Sequence, residues 1–280
     1  MKTLLSLFTL LFSGIAQAQE INALVTDIRE ERALDQYYSS LELTVKINGI
    51  QVDENRRVKV NKITSAVDNL GNKLEEKSNS FGNDYKDRNE VTFKLNSPLR
   101  SATKLNTVEG ILSYYTPTLE NGGKIEISKP LDKYNKDFLK GVGSTAKLIL
   151  IDEESLKKLK DENEADFNKE MDKLKKENAI EEKMGGLITG FKDFFEGLFN
   201  YGSSGPSLNF YVQDPEKKIV SINVYNETGE KVSNGYFTSG TQMTITLNEE
   251  PKNSWKVSVL LENEKALKKY NFKLTNVFLP

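Results

Sequence analysis

From Ser40 to Ile47 the chain alternates polar and apolar residues, Ser-Leu-Glu-Leu-Thr-Val-Lys-Ile, and this period of two recurs in both halves of the sequence. A segment with that period buries every second side chain, so it folds only as a half-buried strand in a sheet with one packed face. Val58–Ile63 and Val91–Leu95 carry the pattern in the first half, and Val108–Tyr115 and Lys124–Ser128 supply two more strands. Ala146–Ile151, Leu208–Val212, Ile219–Tyr225, Met243–Leu247, Trp255–Leu261 and Tyr270–Phe278 read as strands in the second, where Val220, Ile222 and Val224 share one face, as do Val257, Val259 and Leu261. Asn48-Gly49, Asp68-Asn69-Leu70-Gly71-Asn72 and Glu227-Thr228-Gly229-Glu230 supply the turn residues between them. Short strands with frequent turns predict a mainly β fold of antiparallel β-sandwiches resembling the immunoglobulin architecture. At this length two such domains are expected, over residues 19–130 and 131–280.

The second β region is interrupted by an insertion spanning 153–204. Glu153 to Lys183 is dense in Glu, Lys, Asp and Asn, and Leu156, Leu159, Phe167, Met171 and Leu174 fall on a narrow stripe at helical spacing. Glu–Lys pairs three or four apart support a solvated helix surface. After Gly185-Gly186, the segment Leu187–Phe199 predicts a second helix. Leu187, Ile188, Phe191, Phe194, Phe195, Leu198 and Phe199 line one face, with Thr189, Lys192, Asp193 and Glu196 on the other. Gly190 and Gly197 weaken that helix on its own, so it needs something to pack on. The sequence leaves open whether that is its own protein, a partner, or a membrane surface. One Lys against one Asp and one Glu argues against an anionic bilayer. Leu187, Phe191, Phe194, Phe195, Leu198 and Phe199 are the candidate partner contacts, because helix-in-groove recognition uses anchors at this spacing.

The first 18 residues read as a cleavable signal peptide. Lys2 is the only charge, Leu4 to Phe12 is almost wholly apolar, and Ala16-Gln17-Ala18 is a small-x-small cleavage pattern. The apolar run is shorter than the ~20 residues a bilayer span requires. The expectation is export to the periplasm or the medium of a bacterial cell. No transmembrane span and no lipid anchor are expected.

What the chain lacks limits its chemistry. There is no histidine and no cysteine. Ser-His-Asp and Cys-His catalysis, His- or Cys-ligated zinc and disulfide stapling are therefore excluded. No Walker or dinucleotide-binding glycine motif is present, and no cofactor is implied. The formal net charge of -2 offers no nucleic-acid footprint. Asn83 to Glu90 alternates oxygen-bearing residues, but Lys86 and Arg88 sit among them, so a polar loop is expected there rather than a calcium site. Trp255, Tyr211, Tyr225 and Tyr236 read as core or cross-strand aromatics rather than a carbohydrate platform. The chain is accordingly expected to be a non-enzymatic, exported interaction module whose partner is a protein or a glycan. The alternatives are a carboxylate-dependent glycan-active enzyme and a membrane-active protein working through helix 187–199.

Overall fold

The computed structural model describes residues 21–34, 38–77, 85–178 and 205–280. The expected signal peptide, residues 1–18, and the expected helix, residues 187–199, both lie outside the described residues. Within them the protein is mainly β, with four antiparallel sheets and two α-helices. The chain forms two compact units. One comprises the chain up to Asp53, Lys59–Leu112 and Tyr270–Pro280, and the other comprises Glu54–Val58 and Ser113–Lys269.

The first unit holds β1 (Asn22–Glu31), β2 (Ser40–Asn48) and β4 (Glu90–Asn96), paired in the order β1-β2-β4. In β2 the predicted alternation is realised: Leu41, Leu43, Val45 and Ile47 are buried, while Glu42, Thr44 and Lys46 point away. The opposite face is matched across the strands. Lys94 lies 3.2 Å from Glu42, its register partner, and the Thr44 and Thr92 hydroxyls are 3.2 Å apart. A second sheet runs β13-β5-β3, from β13 (Leu267–Phe278), β5 (Lys104–Tyr115) and β3 (Arg57–Asp68). Phe272 of β13 reaches Phe93 of β4, with ring centroids 6.2 Å apart. Its ring also covers Gly110 of β5, where a Cβ would lie 2.5 Å from Phe272 Cε1 and 2.9 Å from the Lys62 carbonyl oxygen. Only glycine leaves room for that aromatic ring.

The turn after β3 is held by a buried carboxylate. Asp68 accepts hydrogen bonds from the backbone N–H groups of Leu70 and Asn72, both at 2.8 Å, and from the Asn72 side-chain amide at 2.9 Å. Gly71 completes the turn at φ 86°, a conformation that costs glycine nothing. Burial pushes the Asp68 carboxyl up, but the hydrogen bonds from Asn72, Leu70 and Gly71 outweigh it and hold it below its usual range. A depressed folded-state value gives stability that is present above the unfolded value, about 3.9. That stability is lost as pH falls through the lower folded value. Asp68→Asn sets an amide donor against the Asn72 amide and is expected to cost about 2 kcal/mol at neutral pH. Urea midpoints across pH check the sign: the gap between parent and variant should narrow as pH drops below about 4.

The polar stretch from Glu75 is not free of the sheets where it is described. Glu76 Oε2 accepts the Ile63 N–H at 2.9 Å, and Lys77 Nζ donates to the Ser39 carbonyl at 2.7 Å. Its backbone also bridges to β4, with the Lys77 N–H donating to the Lys94 carbonyl and the Asn96 N–H to the Glu75 carbonyl, both at 2.9 Å; neither kind of anchor leaves an apolar pattern in the sequence.

The second unit holds a three-stranded sheet in the order β6-β12-β9, from β6 (Lys124–Ser128), β12 (Lys256–Leu261) and β9 (Ile219–Tyr225). A four-stranded sheet runs β10-β11-β8-β7, from β10 (Ser233–Ser239), β11 (Gln242–Leu247), β8 (Ser207–Gln213) and β7 (Lys147–Leu150). One buried cluster draws side chains from both sheets. Ile127, Ile222, Val224, Val257 and Val259 meet Leu148, Leu150, Leu208, Phe210 and Ile245, with Trp255 among them.

Candidate functional site

The helical insertion joins two neighbouring strands. Leu150 of β7 pairs with Phe210 of β8, and the next residue, Ile151, donates its N–H to the Asn209 carbonyl at 2.9 Å. The strands that flank the insertion therefore lie side by side, the geometry that lets a long insertion leave the parent strands undisturbed.

Two helices rise from this neck, α1 (Glu153–Glu162) and α2 (Glu164–Glu177). The sequence pattern runs through residue 163 without a signal, yet the helix breaks there. Asn163 turns extended, at φ -162°, and caps α2 by accepting from the N–H groups of Ala165 at 3.0 Å and Asp166 at 3.4 Å. Asp152 caps α1 by accepting the Ser155 N–H at 3.2 Å. The predicted stripe then does its work. Leu156, Met171 and Leu174 are buried, with Phe167 packed at the edge, against Ile149, Ile151 and Tyr211. Those strand residues alternate with Leu148, Leu150 and Phe210, so they occupy the sheet face opposite the inter-sheet core. Burial on that face pushes the Tyr211 phenol up to about 12.

A polar clamp closes the neck. The Asn178 side chain donates to the Leu174 carbonyl at 2.9 Å and accepts the Asp137 N–H at 3.0 Å. Asp137 Oδ1 in turn accepts the N–H groups of Leu139 at 3.0 Å and Leu148 at 3.1 Å. Lys147 Nζ donates to the Asn178 carbonyl oxygen, and Asn135 Oδ1 accepts the Asp152 N–H at 3.3 Å. The end of α2 is thus tied to the segment before β7 and to β7 itself. Nothing in the local pattern of Asn135, Asp137 and Asn178 announced this role, since polar residues in a loop read as solvated.

Beside the clamp lies an open cavity of about 630 Å³ whose walls include Lys133, Lys136, Phe138, Lys140 and Glu177. Its lysines are exposed and its acids mixed among them, and Asp137 is already committed to backbone donors. The first unit has an open groove of about 800 Å³ where Glu109 and Lys273 pair at 2.7 Å. Among the described residues no group of three or more Asp and Glu is placed to hold a metal ion.

Glu153, at the start of α1, is held above its usual range by burial, and among the described residues its Oε1 has no hydrogen-bond partner. The neighbouring Tyr134 phenol is raised by burial first and then by the charges of Asp152 and Glu153. A raised carboxyl destabilises the fold when ionised. The penalty is absent below the unfolded value, near 4.3, and complete above the folded one. Glu153→Gln should therefore raise the thermal midpoint at pH 7 and leave it unchanged at about pH 3.5. Calorimetry at the two pH values checks this.

The predicted contact residues Leu187, Phe191, Phe194, Phe195, Leu198 and Phe199 lie outside the described residues, between Asn178 of the clamp and Gly205. The described aromatics are not gathered on one surface. Trp255 is buried in the inter-sheet cluster, Tyr211 is buried on the opposite sheet face, and Tyr236 is exposed on β10. Sequence reasoning passed over Tyr236 and Phe237 as a pair. The signal that could have found them is the uncharged run from Val232 to Asn248, in a chain where 29% of residues are charged. No protein-family model, curated protein or solved structure matches the chain.

Proposed function

We propose that the protein is exported after loss of its signal peptide and acts as a non-enzymatic interaction module of the bacterial cell envelope. In this reading a β scaffold carries a helical insertion, and the apolar face of residues 187–199 contacts a protein or glycan partner. The observation that carries it is the neck. Both ends of the insertion meet at one strand pair, and α1 and α2 are docked on a sheet face that the inter-sheet core does not use. Such a mount leaves the inter-sheet core to the strands alone.

The scaffold is read as two sandwiches of immunoglobulin type. Strand order supports this. β7-β8-β11-β10 and β6-β12-β9 repeat the A-B-E-D and G-F-C pairings, and β1-β2-β4 and β13-β5-β3 repeat A-B-E and G-F-C. Each unit takes its G position from a strand that follows the other unit's F strand in the chain. β6 follows β5 yet joins β12, and β13 follows β12 yet joins β5.

The test is a photo-crosslinking residue at Phe194 in the exported full-length chain. An adduct with a second molecule is expected, and it should vanish when Glu153 to Ser204 is replaced by a short turn. Irradiation that yields no intermolecular adduct would sink the proposal.

A further inference from the structure

The edges of the sheets are not alike. β1 carries Asp27, Arg29, Glu30 and Glu31; β4 carries Glu90 and Lys94; β6 carries Lys124 and Glu126; β7 carries Lys147. β3 and β13 carry Arg57, Lys59, Lys62, Lys268, Lys269 and Lys273. Charges on an edge oppose the addition of a further strand. β9 has none, but all its residues are at least partly buried. β10, Ser-Asn-Gly-Tyr-Phe-Thr-Ser, combines an uncharged edge with exposure. It is the end strand of its sheet, and Tyr236 and Phe237 are 72% and 65% exposed. The hairpin it forms with β11 is uncharged from Val232 to Asn248. On its outer side the backbone groups of β10 have no strand partner among the described residues, which makes it a template for pairing.

The strand also suits its own copy. Its register against β11 shifts between Ser233 and Gly235 and is regular from Gly235 to Ser239. The centre of that regular stretch is Phe237. Antiparallel pairing about Phe237 sets Gly235 opposite Ser239, Tyr236 opposite Thr238, and Phe237 opposite the Phe237 of the second copy. Aromatic–aromatic and aromatic–β-branched cross-strand pairs are among the favourable ones, and no charge meets a like charge. The register with β11 places Phe237 beside Thr244 and Tyr236 beside Ile245, on opposite sheet faces. Each face of the new seam therefore gains an aromatic contact.

We propose that two copies of this chain associate by antiparallel pairing of β10 with β10 about a two-fold axis at Phe237. Their four-stranded sheets join into one of eight strands. The seam is independent of the proposed partner contact on residues 187–199. A two-fold seam is self-complementary, the commonest way in which identical chains associate. An uncharged edge offers a foreign partner no electrostatic selectivity, whereas it costs a second copy nothing.

Sedimentation velocity over a concentration series, on the full mature chain, reads the association. Dimer is expected, and Phe237→Lys, which sets two ammonium groups face to face, should weaken it at least about tenfold while leaving the thermal midpoint unchanged. Because the chain has no cysteine, Phe237→Cys reports the register cleanly and should form a covalent dimer on mild oxidation. A mixture of Tyr236→Cys and Thr238→Cys chains should link to each other in preference to themselves. A monomer at every concentration overturns the proposal, and so does a dimer that ignores Phe237→Lys or fails to cross-link at Phe237→Cys. If Phe237→Lys loses its fold, the cysteine readouts decide on their own.

Discussion

Trp255→Ala should unfold the second unit under conditions where the parent is fully folded. Trp255 stands just before β12 and is 1% exposed within a cluster that draws on both sheets. Removing the indole leaves a hole between layers that cannot close without moving two sheets, so the cost falls at the upper end for large-to-small changes, about 4 kcal/mol. Trp255→Phe keeps most of the volume and should cost less than half as much. Far-UV circular dichroism in a urea series measures both variants, because tryptophan fluorescence disappears with the residue. Equal losses for the two variants would mean the space around the indole is not tightly packed.

Gly110→Val should be nearly as damaging in the first unit, through crowding rather than a cavity. The new Cβ falls 2.5 and 2.6 Å from two carbons of the Phe272 ring, and the Lys62 carbonyl oxygen at 2.9 Å blocks the other escape. Phe272 is 4% exposed and touches Phe93, so its ring has little room to retreat. Overpacking against a buried ring and a backbone atom should cost about 3 kcal/mol. Phe272→Ala alone should cost about 4 kcal/mol by loss of packing. In the double variant the smaller residue makes room for the valine, so the two losses should fall short of their sum by more than about 1 kcal/mol. Strict additivity in a double-mutant cycle would show that the two positions do not share this contact.

Elements with a one-sided burial pattern were legible in the sequence. β2 announced itself by Leu41-Leu43-Val45-Ile47, because every second residue faces a core, and β12 by Val257-Val259-Leu261, although Ser258 and Leu260 on its other face are buried as well. The stripe of Leu156, Leu159, Phe167, Met171 and Leu174 predicted a helical stretch with one packed side; Leu156, Met171 and Leu174 are buried with Phe167 packed against them, while Leu159 is only half-buried. β10 escaped notice for the opposite reason: both of its faces are exposed over Asn234–Thr238, so no alternation marks it. The break at Asn163 escaped because capping depends on one backbone angle inside a polar run, where an asparagine reads equally well as helix surface.

Strand partnership was the least legible feature. A division at residue 130 assigns β6 to the first β region and β13 to the second, by chain order. The contact-defined units place Ser113–Lys269 in one and Tyr270–Pro280 in the other. Period-two patterning says which face of a strand is buried but not which strand lies beside it. The pairing of Val257 with Ile127 is a long-range choice that no local run of residues encodes. The clamp was hidden for a related reason. Asn178 acquires its partners only once α2 has docked and brought Asp137 within hydrogen-bond reach.

The central claim is that the β scaffold carries the helical insertion without depending on it. The most direct test joins Ile151 to Pro206 through a short flexible Gly-Ser linker that leaves the β7–β8 register free to form, with Ile149→Thr, Ile151→Thr and Tyr211→Thr to make the uncovered sheet face polar. Amide hydrogen exchange and the near-ultraviolet signal of Trp255 are then compared with the parent. Slow exchange in β7 and β8 and an unchanged Trp255 band are the predicted result. Fast exchange across both strands with loss of the band would contradict the account, since it would make the insertion part of the core.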